Sequence, residues 1–327
     1  MNTIDKQHLL VFDMSTILYK AFYVNSRELD KDLLMKLAFN TGFGMTNKYY
    51  RTYKPHKMIF VFDRTPWRKE YTQSEDAYMK KLYKGHRRQS MTPTQIELYQ
   101  MYKSFITTFE QIIQDCTSIV CLAADGLEAD DLIAGICRKY GGDDTASDNR
   151  STETTLYDNH CVTVISTDKD MLQLLRYKNV QLIDPATGNN RYVEDCGFDS
   201  VDYYLYEKAM TGDSGDNVPS AYPRYRKKKI KEAFYDPYLH TNLMNSEWTD
   251  ADGRTITVGT AVNENKLLTN LTHQPEDIQQ IMWDTIEAGF NNIGKYDHFK
   301  FLKVLGKYEL KNISKAIDSY IPMLSLK

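Results

Sequence analysis

The 327-residue sequence predicts an α/β fold, with a mostly parallel twisted sheet flanked by helices and a smaller, mainly helical C-terminal domain. Three observations support this prediction. Short apolar runs have the composition of buried parallel strands, helical patterns lie between them, and the strand pattern stops near residue 200. Strand, helix and strand in repetition indicate crossover connections. We therefore predict two domains, covering residues 1–199 and 200–327.

The predicted strands end at or near acidic residues. They cover residues 8–13, 57–63, 118–123, 161–166 and 180–184. Asp13 and Asp63 close their strands, and Asp168 follows its strand by two residues. Ligands of open α/β sheets bind beyond the carboxyl ends of the strands. We therefore expect these three carboxylates at the functional edge of the sheet.

The helices predicted between the strands cover residues 28–50, 93–114 and 129–140. Thr92 before Pro93 is a cap followed by proline, which is typical of a helix start. The polar, small residues 141–160 predict a mobile surface loop. In the C-terminal part we expect closing helices over 274–290, 297–305 and 310–321, and a hairpin over 248–258 that turns at Asp252-Gly253.

The composition favours a soluble, intracellular, cytoplasmic protein without membrane contact. Hydrophobic residues make up 42% of the chain and charged residues 26%, with no apolar run near the roughly 18 residues of a membrane span and no leader at Met1. The five cysteines are an odd number without CxxC spacing, so neither a disulfide framework nor a zinc ribbon is supported. We expect a monomer.

The net charge of −3 conceals a strong segregation of charge. Basic residues gather at 80–88 (KKLYKGHRR) and 224–231 (RYRKKKIK). One such run is usually a solvated surface. Two dense runs in a chain whose acids also cluster favour binding of an anionic polymer near a cation site.

The acidic residues gather in short motifs. Asp168 and Asp170 are separated by one lysine, the second motif reads GLEADDLIA at 126–134, and the third reads MTGDSGDNVP at 210–219. Each has a simpler interpretation: carboxylates facing open water, acids that complement a helix dipole, or an Asx-rich turn. Together the acids at strand ends and helix starts number nine: Asp13, Asp63, Glu128, Asp130, Asp131, Asp168, Asp170, Asp213 and Asp216.

So many carboxylates cannot share one crevice without cations, because like charges repel and raise each other's pKa. Oxygen ligands without a matching His or Cys cluster select magnesium or manganese over zinc. Two such ions, roughly 3.5–4 Å apart, support in-line attack on a phosphodiester. The sequence therefore predicts a two-metal carboxylate site.

The motifs FD at 12–13 and 62–63, EADD at 128–131, STDKD at 166–170 and GDxxDN at 212–217 follow one another in an order that resembles the 5′ nuclease (flap endonuclease) superfamily. The resemblance covers residues 8–230, with a weaker similarity at 263–290. Within the superfamily the sequence is most similar to the ribonuclease H enzymes of T-even bacteriophages, which are 5′-to-3′ nucleases that remove RNA primers from lagging-strand fragments. The resemblance implies a PIN-like fold with a helical arch over about 72–113.

The resemblance also implies a role for each residue that matches a motif. Two magnesium ions, with manganese as a substitute, would be held by a first cluster of Asp13, Asp63, Glu128, Asp130 and Asp168 and a second cluster of Asp131, Asp170, Asp213 and Asp216. The segment 83–87 resembles the Tyr-Lys-x-x-Arg motif at the base of the arch, so Lys84 and Arg87 are predicted to act on the scissile phosphate together with Asp130. Tyr83, Arg88 and, more weakly, Arg68 are further candidate DNA contacts.

One segment departs from the family pattern. Residues 218–226 (VPSAYPRYR) contain no glycine where most relatives have a Gly-rich hairpin between two helices. This argues against a backbone-amide nest and a potassium site, and predicts a degenerate helix-hairpin-helix element. The duplex would then be held by charge, through Arg224, Arg226, Lys227, Lys228 and Lys229.

The leading hypothesis is a free-standing, magnesium-dependent 5′-to-3′ nuclease that cuts 5′ flaps, overhangs and RNA-DNA hybrids. If the chain is phage-encoded, it acts in the host cytoplasm. A single-strand-binding protein and a sliding clamp are candidate partners. A PIN-type ribonuclease is the second hypothesis, and the EADD and GDxxDN motifs count against it. The third is a structure-specific binding protein without catalysis, although no acid of the first cluster is missing.

Overall fold

The computed structural model of the protein describes residues 7–27, 30–86, 92–144, 160–223 and 225–326. Arg87, Arg88, Arg224 and residues 145–159 of the predicted surface loop lie outside the described residues. Five strands form one parallel sheet in the order β3-β2-β1-β4-β5. They are β1 (Gln7–Asp13), β2 (Lys57–Val61), β3 (Val120–Leu122), β4 (His160–Ile165) and β5 (Val180–Ile183). The predicted fold class is confirmed.

The central strand β1 is apolar on both faces, as a strand covered by helices must be. Leu10 and Phe12 belong to the apolar cluster on one face of the sheet, and Leu9 and Val11 to the cluster on the other. β1 pairs with β2 and β4 in register, so that Asp13 lies opposite Val61. This register brings the ends of the central strands to one edge.

The helices of the N-terminal part begin at side-chain caps, except the short helix after Pro66. They are α1 (Met14–Tyr23), α2 (Lys31–Tyr53), α3 (Trp67–Gln73), α4 (Pro93–Cys116) and α5 (Ala129–Tyr140). Thr92 and Gln95 form a reciprocal capping box at the start of α4, and α5 has the predicted bounds. Asp30 accepts hydrogen bonds from the first amides of α2, which sets its start.

The second half of α4 is part of the core. Tyr102, Phe105 and Phe109 are buried against α1 and α2, and the ring of Phe109 packs 4.7 Å from that of Phe43. A gateway for a nucleic-acid strand needs open space on both sides of a helix. The arch over 72–113 stays a prediction, and the part of α4 from Tyr102 onward belongs to the core.

The C-terminal part is mainly helical, as predicted. Two 3-10 helices, at Asp170–Arg176 and Glu194–Cys196, precede it. It contains α6 (Val201–Thr211), α7 (Lys227–Tyr235), α8 (Pro237–Met244), β6 (Glu247–Thr249), β7 (Thr255–Thr257), α9 (Val258–Thr269), α10 (Glu276–Asn291), α11 (His298–Lys307), α12 (Lys311–Lys315) and α13 (Ile317–Leu324). The predicted hairpin is present as the antiparallel pair β6 and β7, with Gly253 at φ 79° in its turn. The helix predicted over 310–321 is instead two short helices.

The helices after residue 200 pack in two different ways. α6 and α9 form their own cluster around Met210 and Val262. By contrast, Met282 and Ile286 of α10 pack on the sheet beside α5, and Phe301 of α11 packs in the cluster on the opposite face. The domain boundary at 199/200 stays a prediction, and the last helices share the core of the sheet. No helix within the described ranges is long and apolar enough to cross a membrane.

Candidate active site

A polar cavity of about 290 Å³ lies at the carboxyl edge of the sheet. Its wall includes Ser15, Thr16 and Lys84 together with eight carboxylates. These are Asp13, Asp63, Glu128, Asp130, Asp168, Asp170, Asp213 and Asp216. Eight of the nine carboxylates predicted from the sequence therefore meet in one place, although they come from five separate segments of the chain.

The ends of β1 and β2 supply the first two carboxylates. Asp13 is buried at the start of α1, where it accepts hydrogen bonds from the Thr16 amide (3.1 Å) and the Ser166 hydroxyl (2.7 Å). Asp63 accepts from the Ala129 amide at 2.8 Å, which ties the end of the second strand to the start of α5. The strand ends and the start of α5 thus hold each other in place.

The start of α5 contributes Glu128 and Asp130 but not Asp131. Glu128 and Asp131 form a reciprocal capping box, in which the Glu128 amide donates to Asp131 at 3.2 Å. Successive residues of a helix are about 100° apart, so Asp130 and Asp131 point in different directions. Asp130 lines the cavity, whereas Asp131 points into the protein.

The assignment of Asp131 as a metal ligand is wrong. Its carboxylate is 0% exposed and receives two hydrogen bonds from the Arg68 guanidinium, at 2.9 and 2.7 Å. Gln274 donates to the same carboxylate at 3.0 Å. A carboxylate saturated in this way is a counter-ion for a buried arginine.

The assignment of Arg68 as a DNA contact is also wrong. Its side chain is 1% exposed, and its Nε donates to the carbonyl of Leu268 at 2.9 Å. The assignment of Tyr83 as a DNA contact is wrong for the same reason, because its side chain is buried. Its hydroxyl lies 3.0 Å from Glu128 and 2.6 Å from Asp216, so Tyr83 holds two carboxylates of the cavity.

Asp168 and Asp170 follow β4 in a turn that begins the first 3-10 helix. The Asp170 amide donates to Asp168 Oδ1 at 2.8 Å, and the Asp168 amide donates to the Ser166 hydroxyl at 3.0 Å. The Tyr204 hydroxyl contacts Asp170 Oδ1 at 3.1 Å. These bonds fix both carboxylates toward the cavity.

Asp213 and Asp216 lie in a tight turn after α6. A Cβ atom on Gly212, whose φ is 70°, would meet the carbonyl of Pro219 at 2.4 Å, so the turn requires glycine there. Asp213 accepts from the Gly215 amide at 2.8 Å, which is an Asx turn. The turn also faces the cavity: oxygens of Asp170, Asp213 and Asp216 lie within 4.8 Å of one another, as ligands of one metal ion would.

Lys84 lies among these carboxylates. Its ammonium is 2.5 Å from Glu128 Oε1 and 3.6 Å from Asp216 Oδ1. Burial by itself would lower the pKa of Lys84, but the two carboxylates raise it. The lysine is therefore a permanent cation at the wall of the cavity.

Sequence reasoning missed Lys208. This lysine of α6 is buried, and its ammonium contacts Asp170 and, at 3.0 Å, Asp213. A lysine in the last turn of a helix is common at the helix surface, where it complements the dipole. The one available signal was its place one turn before the GDxxDN motif, which directs it toward the same edge.

The carboxylates are under electrostatic strain. Burial and the nearby charge of Asp63 raise the pKa of Asp13 to about 6. Burial and the charges of Asp131 and Glu128 raise the pKa of Asp130 well above its usual range, and burial also raises that of Asp170. Such shifts identify a site that needs more positive charge than its lysines supply.

The donor set fits divalent cations with a preference for oxygen. All the acidic ligands are carboxylates, and ammonium groups already stand between Glu128 and Asp216 and between Asp170 and Asp213. Hard cations such as magnesium or manganese match this chemistry, whereas zinc favours nitrogen and sulfur ligands.

The predicted duplex contacts lie on a separate surface. Arg226, Lys227, Lys228 and Lys229 are exposed at the start of α7. Lys227 pairs with Glu207 at 2.7 Å while its own side chain stays 74% exposed. We call the exposed residues 226–229 the α7 face, and their contact with DNA stays a prediction.

Comparison with known proteins places this geometry in context. A family model described as the 5′-3′ exonuclease, N-terminal resolvase-like domain matches residues 8–201. DNA polymerase I of Rhizobium leguminosarum is 27% identical over 235 residues, which are 65% of this chain and 19% of that protein. The chain thus spans about a fifth of the length of this curated relative.

Two solved structures show the same fold. A crystal structure of a T5 protein co-crystallized with metal ions covers 86% of this chain and 100% of its own, at 17% identity and a TM-score of 0.59. A bacteriophage T5 flap endonuclease variant, in a pseudo-enzyme-product complex with DNA and metal ions, covers 86% and 99% at 18% identity and a TM-score of 0.58.

Proposed function

Because the chain belongs to the 5′-3′ exonuclease family, through its N-terminal resolvase-like domain, we propose that it is a magnesium-dependent 5′-to-3′ nuclease. Its substrates are 5′ flaps, overhangs and RNA primers in RNA-DNA hybrids, and its role is in lagging-strand replication and repair. The cluster of acidic residues and the fold fit a metal-dependent nuclease. The choice of magnesium, the hybrid substrate and the replication role are the proposal.

The observation that carries the proposal is the convergence of eight carboxylates on one cavity beside Lys84. A structural role would pair each buried carboxylate with a cation or with several donors, as Asp131 is paired with Arg68. Among the described residues, the eight carboxylates of the cavity contact two ammonium groups, from Lys84 and Lys208, and the Arg68 guanidinium, which is 3.4 Å from Glu128. The remaining charge favours divalent cations.

The residues divide into two ligand groups. Asp13, Asp63, Glu128, Asp130 and Asp168 would hold one ion, and Asp170, Asp213 and Asp216 the other. Bound ions of this kind lower the pKa of an attacking water and stabilise a leaving oxygen. The chain itself orients these ligands through Tyr83, Ser166 and Tyr204. Lys84 offsets the charge that develops on the phosphate.

The α7 face is proposed to bind the duplex part of the substrate. Its Lys228 and Lys229 are exposed and can approach phosphates directly, whereas Lys227 would first have to leave the buried carboxylate of Glu207. The strand to be cut then enters the cavity near Lys84. The α7 face supplies affinity, while the cavity supplies the chemistry.

The proposal is tested by mapping cleavage products of an end-labelled 5′ flap duplex and of the same duplex with an RNA tip. We expect magnesium-dependent cuts near the junction or from the 5′ end on both substrates, and none in EDTA. Cleavage of single-stranded RNA alone would indicate a PIN-type ribonuclease. Tight flap binding without cleavage in magnesium or manganese would indicate a binding protein.

A further inference from the structure

Lys84 lies in an irregular segment, residues 74–86, which we call the lysine loop. The part of the loop that carries Lys84 has neither helix nor strand, and Lys80 and Lys84 both have positive φ, at 51° and 54°. Positive φ costs energy for a residue with a side chain, so this shape needs support from surrounding contacts. The position of the Lys84 ammonium therefore depends on what holds the loop.

The end of the lysine loop is held by the site itself. The Tyr83 amide donates to the Thr72 hydroxyl at 3.0 Å, and the Lys84 amide donates to the carbonyl of Asp216 at 2.8 Å. Asn217 donates to the carbonyl of Leu82 at 2.8 Å. These contacts secure residues 82–84 but do not involve Tyr78 or Met79 in the middle of the loop.

The middle of the lysine loop, at Tyr78 and Met79, is held by Glu264 of α9, more than 180 residues away in sequence. Oε1 of Glu264 accepts from the Tyr78 amide at 2.5 Å, and Oε2 accepts from the Met79 amide at 2.8 Å. The Tyr71 hydroxyl of α3 donates to Oε1 at 3.3 Å. One carboxylate thus binds two successive backbone amides and the preceding helix.

Glu264 is a costly residue to bury. It is 6% exposed, and its three donors are two backbone amides and a tyrosine hydroxyl, none of them a cation that would offset a carboxylate's charge. Burial and this charge raise the pKa of Tyr71 to about 12. Met79 packs into the cluster of α6 and α9, and Tyr78 accepts a hydrogen bond from the Thr257 amide. The lysine loop is therefore fastened to the C-terminal helices on this side.

We propose that Glu264 is a positioning residue for Lys84: by binding the Tyr78 and Met79 amides, it fixes the lysine loop so that the ammonium lies between Glu128 and Asp216. Glu264 is not among the residues that line the cavity. Its effect on cleavage rests on the proposed function, whereas its effect on the loop does not. In this way α9 would influence cleavage indirectly, through the position of the Lys84 ammonium.

The test is a double-mutant cycle of Glu264→Gln and Lys84→Ala. Glutamine keeps the size of the side chain but replaces one accepting oxygen with an NH2 group that cannot bind a backbone amide. We expect Glu264→Gln to lower the single-turnover rate by about tenfold, with a flap Kd within about twofold of the unchanged chain, because one charge-assisted hydrogen bond is lost. In the Lys84→Ala background the same change should cost nothing further. Glu287→Gln, on the exposed side of α10, is the matched control.

Two readouts do not depend on activity. Hydrogen exchange at the Tyr78 and Met79 amides should be faster in Glu264→Gln than in Glu287→Gln. The NMR signal of the Lys84 side chain, assigned by its loss in Lys84→Ala, should shift only in Glu264→Gln. Additive rate losses in the cycle, or unchanged exchange and an unchanged Lys84 signal, would overturn the proposal. If the unchanged chain cleaves nothing, the proposed function fails, and exchange and NMR still decide the role of Glu264.

Discussion

The carboxylate cavity and the α7 face both gather lysines, but in opposite environments. In the cavity, Lys84 and Lys208 are largely buried and paired with carboxylates at close range. On the α7 face, Lys227 pairs with one carboxylate and remains 74% exposed. A buried lysine beside carboxylates acts on chemistry and stability, because neither charge is screened by water. An exposed lysine contributes mainly to affinity and loses that contribution as salt is added.

The largest effect is expected in the cavity, at Asp130. Asp130→Asn should lower the cleavage rate on the order of 10³-fold or more, because a neutral amide is a poor metal ligand in the centre of the site. Flap binding should be nearly unchanged, since the α7 face is untouched. The check is single-turnover cleavage in saturating magnesium beside binding in calcium. Near-normal turnover would remove Asp130 from the site.

Lys84→Ala is expected to have the next largest effect. It should lower the single-turnover rate by about 10²-fold while changing flap affinity much less, because the ammonium acts on charge that develops in the transition state. The comparison variant is Lys228→Ala, which removes an exposed lysine from the α7 face. If Lys84→Ala instead weakened flap binding and left the cleavage rate unchanged, Lys84 would behave like the exposed Lys228. The contrast between the cavity and the α7 face would then be wrong.

A third prediction concerns the pH dependence of stability without metal. Burial and the nearby charge of Asp63 raise the pKa of Asp13 from its ordinary value of 3.8 to about 6 in the folded protein. Between about pH 4 and pH 6 the folded state therefore binds more protons than the unfolded state. The free energy of unfolding falls as pH rises through this range. Asp13→Asn should remove that fall, so that in EDTA the variant is more stable at about pH 8 by up to roughly 3 kcal/mol, and no more stable below pH 4.

Urea unfolding at both pH values, with and without magnesium, measures the Asp13 effect. Magnesium should stabilise the unchanged chain at about pH 8 more than it stabilises Asp13→Asn, because a bound ligand stabilises the state that binds it. If the stability of Asp13→Asn depended on pH in the same way as that of the unchanged chain, the pKa of Asp13 would not be raised in the folded protein.

The smallest effect on rate is expected from the α7 face. Changing Lys227, Lys228 and Lys229 together to Ala should weaken binding of flapped duplex and reduce its salt dependence, by roughly 0.9 in the log–log slope for each lost phosphate contact. The single-turnover rate at saturating enzyme should hardly change. Fluorescence anisotropy over a salt series, in calcium, compares duplex with single strand. Equal losses on both would exclude these residues as the duplex anchor.

Local sequence determined the fold class and most of the carboxylate set. Apolar runs that end in acids must place those acids at the edge of a parallel sheet, so Asp13, Asp63 and Asp168 could be located from β-strand pattern alone. Thr92 and Pro93 set the start of α4, and the Asp252-Gly253 turn set the hairpin, since caps and turns depend on neighbouring residues. The single helix predicted over 310–321 was wrong, because tertiary packing decides where the chain breaks between α12 and α13.

Only the tertiary structure decided which charged residues face the cavity. Asp130 and Asp131 are consecutive aspartates. Asp131 is nevertheless a buried counter-ion, because the guanidinium of Arg68 in α3 donates hydrogen bonds to its carboxylate. Lys208 and Glu264 carry no motif, and their partners lie at least five and as many as 193 residues away along the chain. The sequence pattern reports periodicity and local caps. Pairing across such distances depends on how helices pack, because an ion pair or a buried hydrogen bond forms only where the folded chain brings both groups within reach.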